Sequence, residues 1–600
     1  MNTKFLVMRN IYENLGISQR DIATGLMISL GKVNSIVREL KDEGYIDFDN
    51  KSYKLTDKGV KEVKSHKVDM ALILACGMGL RLAPLTYDTP KCFIKLKGER
   101  MIERQIEQLK SAGINNIVIM VGYMKEKFDY LIDKYNVKLV YNPDYKYKNT
   151  LSTLYHARNY IKGKNVYVCV ADVYMTRNIY HKYEIDPYYI GEFYEDCKNE
   201  WRCDLNNKNE IREFIVGGKN DYCMVGPAFL TKEYLDALLP LIDEYYKKTS
   251  TDNYYWEDVV RTELKNLPKL SLYKVEAGTI YEVDNLDDLK AFNNDTGEYG
   301  SEAISFVART FGIKDTDIKD IKCIKEGMTN HSYRFFYDDI EYVARIPGED
   351  SSFFINRKAE GEILKKLADK NITEEVIYFN KDSGYKIAKY FSDARTVNVE
   401  NKEELKKSMA LYKILHNFGL KVKASADIND MIKIYTDLIR EKNLYVPYED
   451  FEEVLDNAKK LRKLLKNENR PKVLCHGDAN PDNVLIVNGK YKLIDFEYGG
   501  MADPLTDIAL FAAYVQFDLE KTLSLYKYYK EANVKVEVKG LLPESDDKAR
   551  YILMAYTALS GLYNAVWSIV RSELSGIDYG NYGMKGYRLF KDYYKILKNS

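Results

Sequence analysis

The sequence has few of the residues from which disulfide frameworks and metal clusters are built. Its eight cysteines and six histidines are scattered over 600 residues, and no Cys-x-x-Cys pair occurs. This spacing excludes a zinc ribbon or a disulfide scaffold and predicts reduced, structural thiols. Net charge is also absent, because 90 basic residues balance 90 acidic residues. The balance disfavours a whole-chain binder of nucleic acid or of an anionic membrane.

The sequence also lacks a secretory leader and a long apolar run. Residues 1–14 are amphipathic and interrupted by charged side chains, unlike the continuous apolar segment of a signal peptide. The most apolar stretches, around residues 70–82 and 551–570, contain glycines or polar groups and are predicted to fall short of a membrane span. We therefore expect a cytoplasmic protein that does not cross a membrane. Its length predicts about three domains and leaves open whether it forms a homo-oligomer.

The stretch 474–500 is the most informative in the chain. Two apolar runs, 484–487 and 491–494, flank the dipeptide Asn488-Gly489, and this pattern predicts a β-hairpin with a two-residue turn. The hairpin would bring the residues that precede its first strand close to those that follow its second strand. It therefore predicts that side chains from both places form one site.

Three oxygen-bearing side chains flank this hairpin. Asp478 and Asn483 precede its first strand, and Asp495 follows its second strand. A kinase-type phosphoryl transfer requires one carboxylate to orient a hydroxyl, with an amide and a second carboxylate on Mg²⁺. An ordinary acidic hairpin is the alternative. The sequence therefore predicts an ATP-dependent phosphotransferase.

The motifs HGDANPDN (476–483) and IDFEYGG (494–500) resemble those of the choline kinases and aminoglycoside phosphotransferases, which are related to protein kinases. The resemblance implies that Asp478 is the catalytic base and that Asn483 and Asp495 hold the metal. It also implies that Asp507 braces the catalytic loop.

Residues 1–66, the head module, are predicted to form two helices and a short hairpin. Ser18 and Ser29 are the predicted N-caps of the helices. This order resembles the winged-helix domains of MarR-like regulators. The exposed residues of a DNA-recognition helix would be Ser29, Lys32, Asn34, Ser35 and Arg38. Nearby acidic residues almost cancel the basic ones, so DNA, a regulator and a sister domain all stay open as partners.

Residues 69–297, the middle domain, begin with a continuous apolar run, 70–75, that predicts a buried parallel strand. Glycines follow it and let backbone N–H groups approach a nucleotide, while two cations can neutralise its triphosphate. The candidate nucleotide-binding residues are Ala75, Gly77, Gly79, Arg81 and Lys91, of which Arg81 and Lys91 are also candidate catalytic residues.

Strand-like and helix-like segments then alternate, which predicts a Rossmann-like, doubly wound, mostly parallel sheet with ligands at the carboxyl ends of its strands. Asp172 and Asp284 each follow a predicted strand. Two such carboxylates could hold Mg²⁺ for attack at an α-phosphate; helix N-caps are the alternative for each.

The segments LACGMGLRL, TPK, EDCKNEW and GTIYEVDNLDDL resemble the bacterial CTP:phosphocholine cytidylyltransferases, within the sugar-nucleotide pyrophosphorylase superfamily. The likeness spans nearly all of the middle domain. It implies that CTP and phosphocholine are the substrates.

Only three tryptophans occur beside 52 tyrosines. Trp201 and Trp256 lie next to acidic residues, and a quaternary ammonium prefers aromatic faces near a carboxylate; tryptophan as core filler is the alternative. The resemblance places choline-binding aromatics in these segments, so the candidate phosphocholine residues are Trp201, Tyr255, Trp256 and Glu257. Tyr563 and Trp567 lie four residues apart in an apolar helix and are candidates for a choline pocket or for core.

Residues 298–600, the C-terminal domain, are predicted to form a two-lobed, protein-kinase-like phosphotransferase. By resemblance to choline kinases, Thr329 and Asn330 lie near the ATP phosphates and Arg345 contacts them. Glu360 is its predicted helix partner; a solvated charge is the alternative.

We therefore predict a bifunctional enzyme that phosphorylates choline with MgATP and then joins phosphocholine to CTP, releasing pyrophosphate. One alternative is an enzyme for ethanolamine or a sugar phosphate. The other is a DNA-binding regulator whose enzymatic domains sense metabolites.

Overall fold

The computed structural model describes residues 2–49, 52–197, 200–283, 285–293, 298–324, 330–348, 355–575 and 578–599. The chain forms two compact units: residues 1–309 with 314–317, and residues 310–313 with 318–600. Two predicted site residues, Asp284 and Thr329, lie outside the described residues. The domain boundaries given above stay predictions.

The head module contains the two predicted helices followed by the predicted wing, with one further helix before them and one after them. Its elements are α1 (Thr3–Glu13), α2 (Gln19–Gly25), α3 (Leu30–Asp42), β1 (Ile46–Asp49), β2 (Ser52–Leu55) and α4 (Asp57–Ser65). Ser18 and Ser29 cap α2 and α3 as predicted, because their side chains accept hydrogen bonds from Asp21 N and Lys32 N. The buried face of α3 packs its apolar residues into one core with α1.

The rest of the first unit is built on a nine-stranded sheet in the order β12-β11-β13-β8-β3-β6-β7, with β10 paired to β13 and β14. The strands β3, β6, β7 and β8 are parallel, and β13 runs antiparallel to β8. The elements are β3 (Met70–Ala75), β4 (Lys95–Leu96), β5 (Glu99–Arg100), α5 (Met101–Ser111), β6 (Ile117–Val121), α6 (Tyr130–Tyr135), β7 (Lys138–Tyr141), α7 (Thr150–Ile161), β8 (Val166–Val170), β9 (Val173–Met175), β10 (Tyr188–Asp196), β11 (Trp201–Leu205), β12 (Ile211–Val216), β13 (Lys219–Leu230), α8 (Lys232–Tyr246), α9 (Trp256–Glu263), β14 (Ser271–Val275), β15 (Ile280–Glu282), α10 (Leu286–Asn293) and α11 (Glu302–Phe311).

This sheet has an apolar core on each face. All six residues of β3 are buried, as expected of a central parallel strand covered by helices on both sides. The carboxyl ends of β3 and β8 therefore open on one edge, where parallel sheets place their ligands.

The second unit begins with an antiparallel sheet in the order β16-β17-β18-β20-β19 and continues into a mainly helical lobe. Its elements are β16 (Lys319–Cys323), β17 (Asn330–Tyr337), β18 (Ile340–Pro347), α12 (Arg357–Leu367), β19 (Val376–Phe379), β20 (Lys386–Lys389), β21 (Arg395–Thr396), α13 (Lys402–Asn417), α14 (Ile428–Glu441), α15 (Phe451–Asn467), β22 (Val473–Cys475), β23 (Val484–Val487), β24 (Lys490–Leu493), β25 (Gly500–Ala502), α16 (Leu505–Val515), α17 (Leu519–Glu531), α18 (Asp546–Ser575) and α19 (Gly580–Asn599).

The hairpin expected from Asn488-Gly489 is confirmed. β23 and β24 pair antiparallel, and Val487 lies opposite Lys490, so the loop has two residues. Both loop residues have positive φ, 49° at Asn488 and 77° at Gly489. These left-handed conformations match the twist of a hairpin, and they explain the choice of Asn and Gly.

The helix α18 corrects one expectation from the sequence. The segment Asp546–Leu574 is long and apolar enough to span a membrane, so the expectation that this stretch falls short was wrong. However, 94% of its most apolar window is buried inside the protein. It packs against α14, α16 and α19 and is accordingly a core helix of the second unit.

Candidate active sites

The catalytic loop of the second unit is held by the buried carboxylate of Asp507. Its oxygens accept backbone hydrogen bonds from His476 N at 2.7 Å and Gly477 N at 3.0 Å. His416 Nε2 lies 2.9 Å from the same carboxylate. Burial disfavours the charged form, but the hydrogen bond from His416 keeps the pKa of Asp507 below its ordinary value. The structure thus gives Asp507 the bracing position expected from the sequence.

Asp478 and Asn483 are in direct contact on this loop. The Asn483 amide nitrogen donates to the Asp478 carboxylate at 2.8 Å and to its backbone carbonyl at 2.9 Å. These bonds orient the Asn483 side-chain oxygen away from Asp478. Burial, with the nearby charge of Asp495 added, raises the pKa of Asp478.

Arg345 is buried between two carboxylates. Its guanidinium lies 2.6 Å from Glu360 Oε1 and 2.8 Å from Asp495 Oδ1. Glu360 is thus the partner predicted for Arg345, and it also pairs with Arg357 at 3.1 Å. Burial disfavours the charged form of Asp495, but the positive charge of Arg345 keeps the pKa of Asp495 below its ordinary value. Arg345 therefore ties the sheet and α12 to a predicted metal ligand.

Glu497, which the sequence analysis did not single out, extends this network. It accepts a hydrogen bond from Asn330 Nδ2 at 2.8 Å and lies 3.2 Å from Arg357 Nη1. Burial and the nearby charge of Asp495 raise the pKa of Glu497 to about 7. Asn330, the first residue of β17, is thereby linked to the segment that carries Asp495.

These groups open into a cavity of about 520 Å³. Tyr563 and Trp567, the two candidates from the apolar helix, both line it. So do two further tyrosines, Tyr514 and Tyr582, and the Tyr582 ring lies 5.9 Å from that of Trp567. The cavity also contains Asp478, Asn483, Asp495, Arg345 and the residues Tyr390 and Phe391 that follow β20.

In the first unit, the turn after β3 depends on Gly79. Its φ is 64°, and a Cβ added there would meet Lys91 Cβ at 2.9 Å. The Lys91 ammonium lies 2.7 Å from Asp172 Oδ2, so the structure joins these two predicted residues. Burial disfavours the charged form of Asp172. The positive charge of Lys91, with a contribution from Arg81, nevertheless keeps the pKa of Asp172 below its ordinary value. Gly77 lies in the same turn, and Arg81 is exposed there.

A second cluster in this unit joins Trp256 and Glu257 to Tyr189. The Trp256 and Tyr189 rings stack with centroids 6.1 Å apart, and Tyr189 OH donates to Glu257 Oε1 at 3.0 Å. The other oxygen, Glu257 Oε2, is buried and has no hydrogen-bond partner among the described residues. Burial raises the pKa of Glu257 to about 7. Trp256 is 2% exposed and belongs to the apolar core on this face of the sheet, beside a carboxylate oxygen that no donor among the described residues uses.

The other two candidates for phosphocholine have different surroundings. Trp201 contacts Phe214 at 6.0 Å, and the Arg261 guanidinium lies 4.9 Å over its ring. Tyr255 precedes α9, and its side chain is 52% exposed. The structure thus groups Trp256 and Glu257 with Tyr189, while the roles of Trp201 and Tyr255 stay predictions.

Three family models match the chain. Residues 321–591 match the choline/ethanolamine kinase model, and residues 71–183 match the MobA-like NTP transferase domain. Residues 2–47 match the winged helix-turn-helix DNA-binding model. The predicted fold class, a winged helix followed by a Rossmann-like nucleotidyltransferase and a kinase-like fold, is therefore confirmed.

Individual relatives decide the family. A choline-phosphate cytidylyltransferase of Streptococcus pneumoniae is 35% identical over 220 residues, which are 37% of this chain and 95% of that enzyme. The chain belongs to the choline-phosphate cytidylyltransferase family. A 2-aminoethylphosphonate cytidylyltransferase of Lancefieldella rimae is 34% identical over 226 residues, 37% of this chain and 92% of that enzyme. The protein LicA of Haemophilus influenzae is 25% identical over 188 residues, 30% of this chain and 55% of that protein.

Two solved structures are similar to parts of this cytidylyltransferase-family chain. The CTP:phosphocholine cytidylyltransferase of S. pneumoniae covers 38% of the chain and 98% of its own length, with 34% identity and a TM-score of 0.36. The choline kinase LicA of S. pneumoniae covers 46% and 94%, with 24% identity and a TM-score of 0.41. The family assignment rests on the sequence matches, which make the chain an enzyme with a cytidylyltransferase domain and a kinase domain.

Sequence reasoning missed several residues around both cytidylyltransferase and kinase sites. Glu497 lies inside the motif IDFEYGG and could have been found there, two residues after Asp495. Tyr189, Tyr514 and Tyr582 are three of 52 tyrosines, and no local signal separates them from core residues. The buried pair of Lys386 and Glu374, 2.6 Å apart at the cavity wall, likewise lacks a motif.

The bracing role of Asp507 gives the first prediction. Replacing Asp507 with Asn puts an amide where the loop needs two acceptor oxygens, and should cost about 1–3 kcal/mol. Calorimetry of the full chain should show the transition of the second unit lowered by about 2–4 °C per kcal/mol. Asp437→Asn, at an exposed position inside α14, should leave it unchanged. An unchanged transition in Asp507→Asn would contradict the bracing role.

Gly79 gives the second prediction, because a side chain there meets both strain and Lys91. Gly79→Ala should raise the KM for CTP about tenfold or more, since Lys91 must shift by a distance that catalytic geometry does not tolerate. Gly98→Ala is the matched control: Gly98 also has positive φ, 82°, but open space around it. Equal KM values for the two variants would show that contact with Lys91 has no effect.

Proposed function

We propose that the chain makes CDP-choline in two steps. In the second unit, the choline oxygen attacks the γ-phosphorus of ATP, the bond to ADP breaks, and Asp478 accepts the hydroxyl proton. In the first unit, a phosphate oxygen of phosphocholine attacks the α-phosphorus of CTP and pyrophosphate leaves. Arg81 and Lys91 offset the charge that develops on the phosphates. The second reaction consumes the product of the first.

One observation carries the choice of substrate: both units place aromatic rings beside carboxylates. In the kinase cavity, Tyr563 and Trp567 line the same space as Asp478. In the first unit, Trp256 stacks on Tyr189 beside the unpartnered oxygen of Glu257. A quaternary ammonium has no hydrogen to donate and binds aromatic faces by cation–π attraction. Two sites of the same chemistry fit an acceptor that keeps its trimethylammonium through both steps.

The donor atoms of the kinase site fit Mg²⁺. Asn483 and Asp495 offer an amide and a carboxylate oxygen, which Mg²⁺ prefers. The Asn483 amide nitrogen is engaged by Asp478, so its oxygen is the end turned to a cation. In the first unit, Asp172 would be the carboxylate ligand, with Asp284 as its predicted companion. When bound, the metal would neutralise part of the phosphate charge.

Ethanolamine, 2-aminoethylphosphonate and sugar phosphates are the competing substrates. The phosphonate contains a carbon–phosphorus bond, which a kinase acting on a hydroxyl cannot make, so the kinase domain disfavours it. A sugar phosphate would need hydroxyl-binding side chains rather than rings. Ethanolamine has the right hydroxyl but would prefer hydrogen-bond acceptors to aromatic faces.

The use of ATP and CTP, together with eight free cysteines, supports a cytoplasmic location. Binding of DNA by the head module stays an alternative role. It predicts specific binding that is lost in Lys32→Ala and Arg38→Ala. Self-association stays open.

A substrate panel tests the proposal. Choline, ethanolamine, phosphocholine and phosphoethanolamine should be compared with 2-aminoethylphosphonate and sugar phosphates, using ATP, CTP and UTP as donors. We expect ADP release with choline, and pyrophosphate release only with phosphocholine and CTP. If the chain releases no pyrophosphate that depends on both phosphocholine and CTP, the proposed function is wrong.

The separation of the two sites gives the third prediction. Asp478→Ala should abolish choline phosphorylation and leave cytidylyl transfer from supplied phosphocholine intact. Asp172→Ala should do the opposite. The retained activity shows that the other unit is intact, and calorimetry of each full-length variant shows whether the mutated unit is folded. Loss of both activities in either folded variant would contradict two independent sites.

The aromatic clusters give the fourth prediction. Trp567→Leu should raise the KM for choline, and Trp256→Leu that for phosphocholine, by up to about thirtyfold, because each loses a cation–π contact worth about 0.5–2 kcal/mol. The KM for ethanolamine should change less. The control is Phe48→Leu, which removes an exposed ring on the wing. Equal effects on choline and ethanolamine would show that the rings do not recognise the methyl groups.

A further inference from the structure

The head module is joined to the rest of the first unit by a fully buried arginine. Arg9, on α1, has none of its surface exposed. Its guanidinium pairs with Glu184, and Nη1 also donates to the Tyr183 carbonyl at 3.3 Å. Glu184 itself is only 3% exposed. A buried ion pair therefore connects a helix of the head module to the segment between β9 and β10.

Glu184 contacts two tyrosines in addition to Arg9. Its Oε1 accepts hydrogen bonds from Tyr167 OH at 3.1 Å and from Tyr188 OH at 2.9 Å, and the two hydroxyls are 3.0 Å apart. Tyr167 is on β8 and Tyr188 is on β10. One carboxylate thus fastens two strands that are not neighbours in the sheet.

Phe229 lies on β13, the strand between β8 and β10, and completes a row of aromatic side chains. Tyr188 pairs in register with Phe229, and Phe229 with Tyr167. The Phe229 ring contacts both tyrosine rings, at 5.7 Å and 5.3 Å. Three aromatic side chains therefore run across β10, β13 and β8 on one face of the sheet, and Glu184 with Arg9 closes the row.

The opposite face carries Trp256 and Glu257, which are proposed above to bind phosphocholine. Tyr189, one residue after Tyr188, points to the other core, where it stacks on Trp256 and donates to Glu257. β8 leads from Tyr167 to Asp172, two residues beyond its end. A displacement of the aromatic row would therefore act on β10, which carries Tyr189, and on β8, which leads to Asp172.

Further contacts join the head module to the same segment. His181 Nδ1 lies 2.9 Å from Glu13 Oε2, and the rings of Tyr12 and Tyr183 are 5.6 Å apart. Tyr183 belongs to the hydrophobic core of the head module. The two parts thus share one core instead of touching at a polar surface.

The S. pneumoniae relative differs here. The 220 matched residues make up 95% of that enzyme, which leaves no room for a second module of this size. In the present chain, Glu184 is a buried carboxylate whose positively charged partner, Arg9, belongs to the head module. Removing one partner of a buried pair leaves an uncompensated charge, which is far more costly than removing both.

We propose that the head module is a structural part of the cytidylyltransferase and that Arg9 is a positioning residue for cytidylyl transfer. Arg9 acts through Glu184 and the tyrosine row on the strands that carry Tyr189 and Asp172. The winged helix thereby has an intramolecular function that does not involve nucleic acid. This inference rests on the proposed function of the first unit.

The test compares four variants of the full chain: Arg9→Met, Arg9→Lys, Glu184→Gln, and Arg9→Met combined with Glu184→Gln. We expect Arg9→Met and Glu184→Gln each to lower kcat/KM for phosphocholine about tenfold or more, since each leaves one charge buried without its partner. The double variant removes both charges, and glutamine still accepts from the tyrosines, so it should recover to within about threefold of the wild type. Arg9→Lys should retain most of the activity.

Controls separate this inference from the proposed function. Lys4→Met removes a cation from the same helix whose partners, Glu39 and Glu43, lie within the head module, and it should have no effect. Choline phosphorylation should be unchanged in all variants, and calorimetry of the full chain reports whether the first unit is folded. The inference would be overturned if Arg9→Met had the wild-type kcat/KM for phosphocholine. It would also be overturned if the double variant were no more active than the less active single variant. A wild-type chain without phosphocholine-dependent pyrophosphate release would instead overturn the proposed function.

Discussion

The pairing of Arg345 with Glu360 and Asp495 is the interaction on which the kinase site depends. A guanidinium taken out of water requires counter-charges inside the protein, and here they come from a helix and from the end of the β-hairpin. The pair therefore sets where α12 and the hairpin lie relative to the sheet. Arg357 and Glu497 repeat the arrangement beside it, so the loss of one charge would unbalance the rest.

Charged side chains are also balanced by partners inside the protein around Asp507 and in the first unit. Asp507 remains charged although it is fully buried, because backbone N–H groups and His416 surround it. Lys91 and Asp172 form a pair at the edge of the nucleotidyltransferase sheet. At Lys91–Asp172 and at Arg345–Asp495, the protein's own ion pair holds the charged side chains in position before a triphosphate or a cation enters. The sites are thus organised before substrates bind, which reduces the reorganisation that catalysis would otherwise require.

The sequence was sufficient for features that arise from short-range patterns. Asn488-Gly489 predicts its hairpin because few other residues adopt two successive left-handed conformations, and the caps at Ser18 and Ser29 follow from local hydrogen bonding. The pairing of Arg345 with Glu360 was also expected. However, the contacts of Arg9 with Glu184, and of Tyr189 with Trp256, join residues far apart in the chain. Their side chains have no spacing that distinguishes them from solvated charge or core, so only the fold could bring them together.

The presence of both units on one polypeptide has a consequence for metabolic flux. Every chain that is translated supplies one kinase and one cytidylyltransferase, so transcription cannot change their ratio. The steady-state level of the phosphorylated intermediate is then determined by the rate constants of the two sites and by the supply of the two nucleotides. Greater gene dosage would raise output without changing the steady-state concentration of the intermediate.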